Sequence, residues 1–288
     1  MLMPSGFLDS GRTFLLIDGA KVENLPEIIY TESPDASCDA LYRGTELADM
    51  SEISPWLVEA HPQSPLGSKC FEHWMHRGVA IALQANAGLD NLVTHFRELI
   101  IAKLATGGEV VFRFYDPEIA RQLLSQDTRS ETAKSLLGPC HAVAIQDRRT
   151  GEWECFRNNA PPQKPSREPF LIYEEHLVAM EQAARQTALR TLELHTAQYF
   201  PQLLQSPGTV ETNWATVADL MSEAKWYGLS STRDIALYIN TIGWLGPHAF
   251  EEERVQKLWQ SRGSQPERAM MRIAEYAEKH SREEQING

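Results

Sequence analysis

Cysteine is scarce in this sequence, and the few cysteines present are widely separated. They are Cys38, Cys70, Cys140 and Cys155, and no two of them form a CxxC pair. Disulfide-rich folds need paired cysteines, and zinc modules need closely spaced ligands. We therefore expect reduced and mostly buried thiols, and neither a disulfide scaffold nor a zinc module.

An excess of basic residues is also missing. The chain has 27 Lys and Arg residues against 39 Asp and Glu residues, which gives a formal net charge of −12. Nucleic acids and anionic membranes attract clustered positive charge, so this balance argues against both as partners. No apolar run approaches the ~20 residues of a membrane span, and the N-terminus shows no basic segment leading into an apolar one. We expect a cytoplasmic protein without membrane insertion.

Common catalytic motifs are absent as well. The sequence contains no GxSxG elbow, no HExxH, no Walker loop and no GxGxxG after a predicted strand. Gly107 and Gly108 precede a strand rather than a helix, so they cannot cradle a phosphate in the usual way. These absences remove the common enzyme classes, although they do not by themselves exclude an enzyme.

The stretch from Glu109 to Pro117, EVVFRFYDP, predicts a strand followed by a helix. β-Branched and aromatic residues dominate it, and their nearly continuous run predicts a strand buried on both faces near the middle of a sheet. Arg113 at such a position needs a carboxylate or several carbonyl groups around it, because the guanidinium stays charged. Asp116 is expected to cap the following helix, with Pro117 at the first helical position.

Strand and helix patterns alternate in the N-terminal half of the chain. Strands are predicted at residues 13–19, 40–42, 55–60 and 78–84, with helices at 64–76 and 89–104 and a hairpin formed by 141–146 and 152–157. After a flexible tail at residues 1–12, these elements predict a mixed sheet with flanking helices that ends at residue 157.

A Pro-rich segment at residues 158–169 separates this half from a helical one. Residues 170–288 show helical periodicity and no convincing strand. The predicted helices span residues 172–199, 214–227, 231–245, 251–260 and 266–280. The predicted fold class is therefore α/β, with an all-helical lobe that follows the mixed sheet.

Two small groups of residues suggest metal or thiol chemistry. Cys70, His73 and His76 lie at i, i+3 and i+6 of a predicted helix, where two of them could share a face and bind a metal in a regulatory protein. Successive steps of three drift around the helix and no fourth ligand is evident, so structural or surface roles are favoured. Cys140 and His141 suggest a thiol–imidazole pair, but neighbouring residues of a strand point to opposite faces.

Asp18 and Asp116 both lie at the C-terminal ends of predicted strands, where open α/β sheets bind ligands. A hydrolase that uses this pair of carboxylates is one hypothesis. In the other hypothesis, Asp116 caps its helix and one of the two carboxylates neutralises Arg113.

Aromatic residues are concentrated in the helical half, namely Trp214, Trp226, Trp244, Trp259, Tyr227 and Tyr238. Large aromatic residues are usually part of the core, but Trp and Tyr also dominate protein-binding hot spots. Both interpretations remain open, and Tyr227, Trp244 and Trp259 are candidate partner-binding residues.

Several segments of the N-terminal half occur in an order that resembles a known family. They are FLLIDGA from Phe14, LYRGTELADMSEISPWLV from Leu41, SPL from Ser64, GVAIAL from Gly78, LDNLVTHFREL from Leu89, VFRFYDPEIARQLL from Val111 and LLGPCHAVAI from Leu136. This order, over about residues 13–157, resembles the bacterial type VI secretion effector chaperones, also called adaptors. Arg113, Tyr115, Asp116 and Pro117 are then a structural hallmark, and residues 227–247 look like the C-terminal segment that often follows this domain.

The resemblance implies a protein that is not an enzyme. It implies a cytoplasmic chaperone that binds a secreted effector and helps to load it onto the valine-glycine-repeat spike protein, often with a PAAR-type tip, and that uses no metal or cofactor. The well-matched α/β half is then the candidate for the task that all members share. The loosely matched helical half is the candidate for effector choice.

Overall fold

The computed structural model describes residues 7, 11–125, 131–158, 169–204 and 209–287, with side chains described as far as residue 283. The chain forms two compact units, residues 1–184 and residues 185–288. Residues 159–168 of the predicted Pro-rich linker lie outside the described residues. Of the predicted tail at residues 1–12, only Phe7, Gly11 and Arg12 are described, and Phe7 is buried. The predicted domain boundaries therefore remain a prediction.

The first unit is built on two sheets. Its described strands are β1 (Arg12–Ile17), β2 (Cys38–Ala40), β3 (Trp56–Glu59), β4 (Ala80–Ala85), β5 (Ile101–Leu104), β6 (Glu109–Val111), β7 (Cys140–Gln146), β8 (Trp153–Arg157) and β9 (Leu171–Ile172). Six of them form one sheet in the order β2-β3-β1-β4-β7-β8, and all its neighbouring strands are antiparallel. The β7–β8 pair confirms the predicted hairpin.

The two faces of the large sheet bury two separate hydrophobic cores. In β1, Phe14 and Leu16 enter the first core, whereas Leu15 and Ile17 enter the second. This division follows from the pleat, because successive side chains of a strand point to opposite faces. Every residue of β4 is buried, so this central strand is covered on both sides. A nearly continuous apolar run is the sequence pattern that such double burial requires.

Helices cover both faces of the sheet. They are α1 (Leu25–Glu32), α2 (Pro65–Lys69), α3 (Leu89–Ile100), α4 (Pro117–Ser125) and α5 (Glu131–Leu137). The α2 helix begins at a cap in which Ser64 Oγ accepts a hydrogen bond of 3.1 Å from the Gly67 amide, and a π-helical turn, Cys70–Trp74, follows it. The predicted α/β class is confirmed.

The expectation of a central strand at residues 109–117 is wrong. Only Glu109–Val111 form a strand, and β6 lies at the edge of a small sheet of order β6-β5-β9. The chain then leaves the sheet, and Phe112, Phe114 and Tyr115 are buried without forming a strand. Phe114 stacks on Phe96 of α3 with ring centroids 5.4 Å apart. A continuous apolar run predicts burial, but it does not specify which backbone conformation delivers that burial.

Two further elements differ from the sequence expectation. Residues 101–104, predicted as the end of a helix, form β5, which pairs antiparallel with β6. Residues 171 and 172, predicted to lack a strand, form β9, which pairs parallel with β5. Apolar runs of four or fewer residues fit the helical and the strand periods equally well, so tertiary pairing decides between them.

The C-terminal region is helical, as predicted. Its described helices are α6 (Glu174–Tyr199), α7 (Val210–Trp226), α8 (Thr232–Leu245), α9 (Glu253–Gln260) and α10 (Pro266–Asn287). Ser231 Oγ caps α8 by accepting a hydrogen bond of 3.1 Å from the Asp234 amide, and Gly246 ends α8 at φ 87°. In the described part of the chain, none of the helices combines the length and the apolar character needed to cross a bilayer.

Candidate partner-binding site

The partner of Arg113 is Asp18, which directly follows β1 and is one of the two carboxylates between which the sequence left the choice open. Arg113 Nη2 donates a hydrogen bond of 2.5 Å to Asp18 Oδ2. The Asp18 side chain is fully buried, whereas the Arg113 side chain is 42% exposed. Burial lowers the pKa of Arg113 and the Asp18 carboxylate raises it, with a net upward shift. Arg113 therefore lies at the protein surface, and not in a central strand as expected. From there it neutralises the buried charge of Asp18.

Asp116 holds the beginning of α4, as predicted. Its Oδ1 accepts hydrogen bonds from the amides of Glu118 (3.0 Å) and Ile119 (3.3 Å). Its Oδ2 accepts a hydrogen bond of 2.8 Å from Lys21 Nζ, which also lies 3.6 Å from Asp18 Oδ2. Two carboxylates and two cations thus form one neutral group, which we call the Asp18–Arg113 network: Asp18, Lys21, Arg113 and Asp116.

Tyr115 joins this network to the segment that follows β2. Its hydroxyl lies 2.9 Å from the Tyr42 hydroxyl, and Arg113 Cζ lies 5.6 Å from the centre of the Tyr115 ring. Burial and then the hydrogen bond with Tyr42 raise the pKa of Tyr115. Arg113, Tyr115 and Asp116 thus tie β1 and the segment after β2 to the start of α4, although these three elements lie far apart along the chain.

These contacts bear on the hydrolase hypothesis. A general acid or base must reach the substrate, and its proton must be free to transfer. Asp18 is inaccessible and bonded to Arg113, and Asp116 is bonded to two amides and Lys21. The arrangement is the one expected if Asp116 caps its helix and Asp18 neutralises Arg113. The structure offers no support for catalysis by this pair of carboxylates.

The histidines near Cys70 do not converge with it. Cys70 is buried within the second core, whereas His73 and His76 are exposed. Burial raises the pKa of the Cys70 thiol, which disfavours the thiolate that a metal requires. Within the described ranges, no group of three His, Cys, Asp or Glu side chains is placed to hold a metal ion. Cys140 is likewise buried, and burial raises its pKa.

In the helical unit, Tyr227 and Trp259 belong to one aromatic group. We call it the Tyr227 cluster: Tyr227, Tyr238, Phe250 and Trp259. The Tyr227 ring centroid lies 4.5 Å from that of Phe250 and 5.3 Å from that of Trp259. Trp244 packs separately, edge to face against Phe200 at 5.5 Å. Tyr227, Trp244 and Trp259 are partly buried against the core of this unit, so each is packed on one side and open on the other.

Trp226 belongs to the aromatic residues of this half but was not selected as a candidate partner-binding residue. It is 81% exposed, and its ring contacts Tyr227 edge to face at 5.0 Å. Its position at the last residue of α7, two residues before Gly228, carries no sequence signal for exposure. An exposed Trp beside a partly open aromatic group is the composition expected of a protein-binding surface.

A cavity of about 260 Å³ lies in the first unit, among α3, α5, β9 and the start of α6. His176 stands in its wall: Nδ1 accepts a hydrogen bond of 3.1 Å from the Tyr173 amide, and Nε2 lies 2.7 Å from Thr132 Oγ1. His95 is buried beside it, with Nε2 3.4 Å from the Leu136 carbonyl oxygen. Sequence reasoning missed this cavity, since its wall comes from four elements that are distant in the chain.

Acid is expected to weaken the fold through His95. Burial lowers its pKa from 6.5 to about 4, so the unfolded chain binds this proton first as the pH falls. The contribution of neutral His95 to the free energy of unfolding is complete above pH 6.5 and decreases as the pH falls towards 4. At ~1.4 kcal/mol per pH unit, the free energy of unfolding falls by about 2 kcal/mol between pH 6.5 and 5. Urea unfolding across this range should be less pH-dependent in His95→Gln. Equal dependence in both proteins would contradict the assignment.

Comparison with known proteins supplies a family match and a relative. Residues 13–134 match the family described as "Domain of unknown function (DUF4123)". The chain is also similar to the "Accessory protein VasW" of Vibrio cholerae serotype O1 (strain ATCC 39315 / El Tor Inaba N16961). The identity is 26% over 300 residues, covering 99% of this chain and 94% of VasW. No solved structure matches the chain. The similarity to VasW thus extends through the helical half, beyond the matched domain.

Proposed function

We propose that the chain belongs to the type VI secretion effector adaptor family, because the domain match over residues 13–134 and the similarity to an accessory protein both fit the resemblance found in the sequence. Together with the resemblance, the similarity to an accessory protein supports a role associated with type VI secretion. From this premise we propose that the protein is a cytoplasmic adaptor. It binds a cognate effector and helps to load it onto the valine-glycine-repeat spike or its PAAR-type tip, without catalysis.

The observation that carries this proposal is the similarity over nearly the whole chain to an accessory protein. The geometry agrees with it, because the hallmark side chains Arg113 and Asp116 are occupied by structural contacts. The accessory description and the matched family also fit a role without catalysis. A substrate whose turnover disappears in Asp116→Asn, with the fold intact, would instead favour the hydrolase.

We assign effector choice to the helical half and the shared docking task to the α/β half. The helical half carries Trp226 and the Tyr227 cluster, and a few aromatic anchors supply most of the affinity in many interfaces. The α/β half coincides with much of the matched family segment, residues 13–134, as expected for a task that is shared among members.

Effector binding is expected to depend on the aromatic residues of the helical unit. Replacing Trp226, Trp244 or Trp259 with alanine should weaken effector binding by about 2 kcal/mol, roughly 30-fold, at whichever position is a hot spot. Trp226→Ala is the cleanest substitution, because a side chain that is 81% exposed contributes little to the core. Affinity can be measured by calorimetry with the effector encoded beside the gene.

The matched control is Tyr30→Ala, which removes an aromatic side chain that is 53% exposed in the other unit. It should leave effector affinity unchanged. Full-affinity binding by all three Trp variants would contradict the division of labour. Full-length variants are preferable to a truncated form that ends near residue 162, because such a form lacks Phe170, which stacks on Phe112 at 5.0 Å, and β9.

A further inference from the structure

Four exposed apolar side chains lie together around β9 and the first turn of α6. We call them the β9 patch: Leu171, Tyr173, Leu177 and Val178, which are 43–47% exposed. Leu171 and Tyr173 are two residues apart in an extended segment, so they face the same side. The Leu177 amide donates a hydrogen bond of 3.2 Å to the Tyr173 carbonyl, which places Leu177 one helical turn from Tyr173. Leu171, Tyr173 and Leu177 therefore follow one another along the surface, and Val178 is the next residue after Leu177.

Among the described strands, β9 pairs only with β5, so its outer edge has no strand partner there. Carbonyl groups of Phe170 and Ile172 accept hydrogen bonds of 2.9 Å from Lys103 and Ala105. Alternate residues of a strand direct their backbone groups to opposite edges, so the Leu171 amide and carbonyl point away from β5. Leu171 also lines the cavity. The Leu171 carbonyl already forms a hydrogen bond with His176, so an extended chain laid along this edge would meet the Leu171 amide and the mouth of the cavity.

The cavity beside this edge suits one bulky apolar side chain. Its apolar wall is formed by Leu99, Phe170 and the ring of His176, which lies 5.4 Å from Phe170. Charged side chains also line it, namely Glu98, Glu131 and Lys134. At about 260 Å³ it lies just below the range of ~300–1,000 Å³ typical of small-molecule pockets, and it is roughly the size of one large side chain. Neutral His176 adds no charge that would oppose an apolar group, since burial lowers its pKa.

Acidic side chains outnumber basic ones around the patch and its cavity, although Lys103 of β5 lies in register with Leu171 and Lys134 lines the cavity. Glu174 and Glu175 are exposed between the apolar residues, and neither forms an ion pair with a described side chain. Residues 1–184 contain 16 Lys and Arg residues against 26 Asp and Glu residues, a formal charge of −10. A partner segment with Lys or Arg beside its apolar residues is therefore complementary, and an acidic segment is repelled.

We propose that the β9 patch and its cavity dock an extended, basic segment of a partner protein that inserts one bulky apolar side chain. The segment follows the outer edge of β9, its anchor fills the cavity, and its Lys or Arg residues meet Glu174 and Glu175. The proposal adds to the adaptor function a docking site on the α/β unit and the chemical character of the segment that binds there. It rests on that function only for the expectation that the partner is a secretion protein.

Photo-crosslinking from the cavity tests the partner chemistry. Ser135 lines the cavity and is partly exposed, so p-benzoylphenylalanine at this position in the full chain reports what enters it. After irradiation in the source bacterium, mass spectrometry identifies the crosslinked peptide. A Lys- or Arg-rich peptide with a bulky apolar residue is expected. Crosslinks only to an acidic peptide, only to another copy of this chain, or to no protein would overturn the proposal.

Affinity for the partner so identified gives the second readout. Filling the cavity in Ser135→Phe, or adding charge to the patch in Leu171→Asp, should each weaken binding at least tenfold. The matched control is Met50→Asp, which changes an apolar side chain that is 46% exposed elsewhere in the same unit, and it should bind normally. Normal binding by a folded Leu171→Asp would overturn the proposal, even if Ser135→Phe failed to fold.

The two proposals fail in different ways. If the full chain co-purifies with an effector or spike protein and Ser135 gives no crosslink, the docking site is wrong and the adaptor function stands. If the crosslink identifies a basic segment of a protein unrelated to secretion, the docking site stands and the adaptor function is wrong.

Discussion

Replacing Arg113 with alanine is expected to lower the free energy of unfolding by about 3 kcal/mol, because it leaves the buried Asp18 carboxylate without its main partner. Removal of one member of a buried ion pair costs about 3–5 kcal/mol in other proteins. We expect the lower end of that range, since Lys21 Nζ remains 3.6 Å from Asp18 Oδ2. Urea unfolding followed by circular dichroism measures the change.

Two comparison variants test whether the loss of stability in Arg113→Ala comes from the buried Asp18 carboxylate. Arg113→Lys keeps the charge but loses the planar guanidinium, so it should cost clearly less than Arg113→Ala. Arg43→Ala removes an arginine that is 67% exposed and lies 3.5 Å from Asp39, which should cost less than ~1 kcal/mol. If Arg113→Ala is no less stable than Arg43→Ala, the Asp18–Arg113 network does not support the fold.

Replacing Gly19 with alanine is expected to cost about 3 kcal/mol, although the backbone at this position suits any residue. An added Cβ would lie 3.0 Å from the carbonyl carbon of Ser54, and closer still to its oxygen. These backbone atoms cannot rotate away as a side chain could, so the turn after β1 must move. Because Gly19 directly follows Asp18, such a movement also disturbs the contact with Arg113. Thermal unfolding measures the loss.

Gly44→Ala is the matched control for Gly19→Ala, because the two glycines are required for opposite reasons. Gly44 has φ 74° and no atom within 4 Å of an added Cβ, so alanine there meets only backbone strain of roughly 1–2 kcal/mol. Gly19→Ala should therefore be the less stable variant. The reverse order of stability would show that the turn after β1 can shift at little cost in free energy. Close packing of Gly19 against Ser54 would then not be needed for stability.

The sequence by itself determined the elements with long, regular patterns. The helices of the C-terminal region, the caps at Asp116 and Ser231, and most strands of the large sheet follow from local rules, because a cap or a pleat depends on residues a few positions apart. The order of segments around VFRFYDP also pointed to a family resemblance, with which the domain match over residues 13–134 and the similarity to an accessory protein agree. The need of Arg113 for a carboxylate or several carbonyl groups was equally evident from its fixed charge.

Only the tertiary structure decided which residues meet. It selected Asp18 as the partner of Arg113, placed Lys21 between two carboxylates, and gave residues 101–104 to a strand. It also placed β6 at an edge, exposed Trp226, and formed the cavity beside β9. Each of these features depends on chain segments that are distant in sequence, and short apolar runs satisfy several local conformations at once. The packing energy between distant segments selects one of those conformations, and local sequence patterns carry no information about that energy.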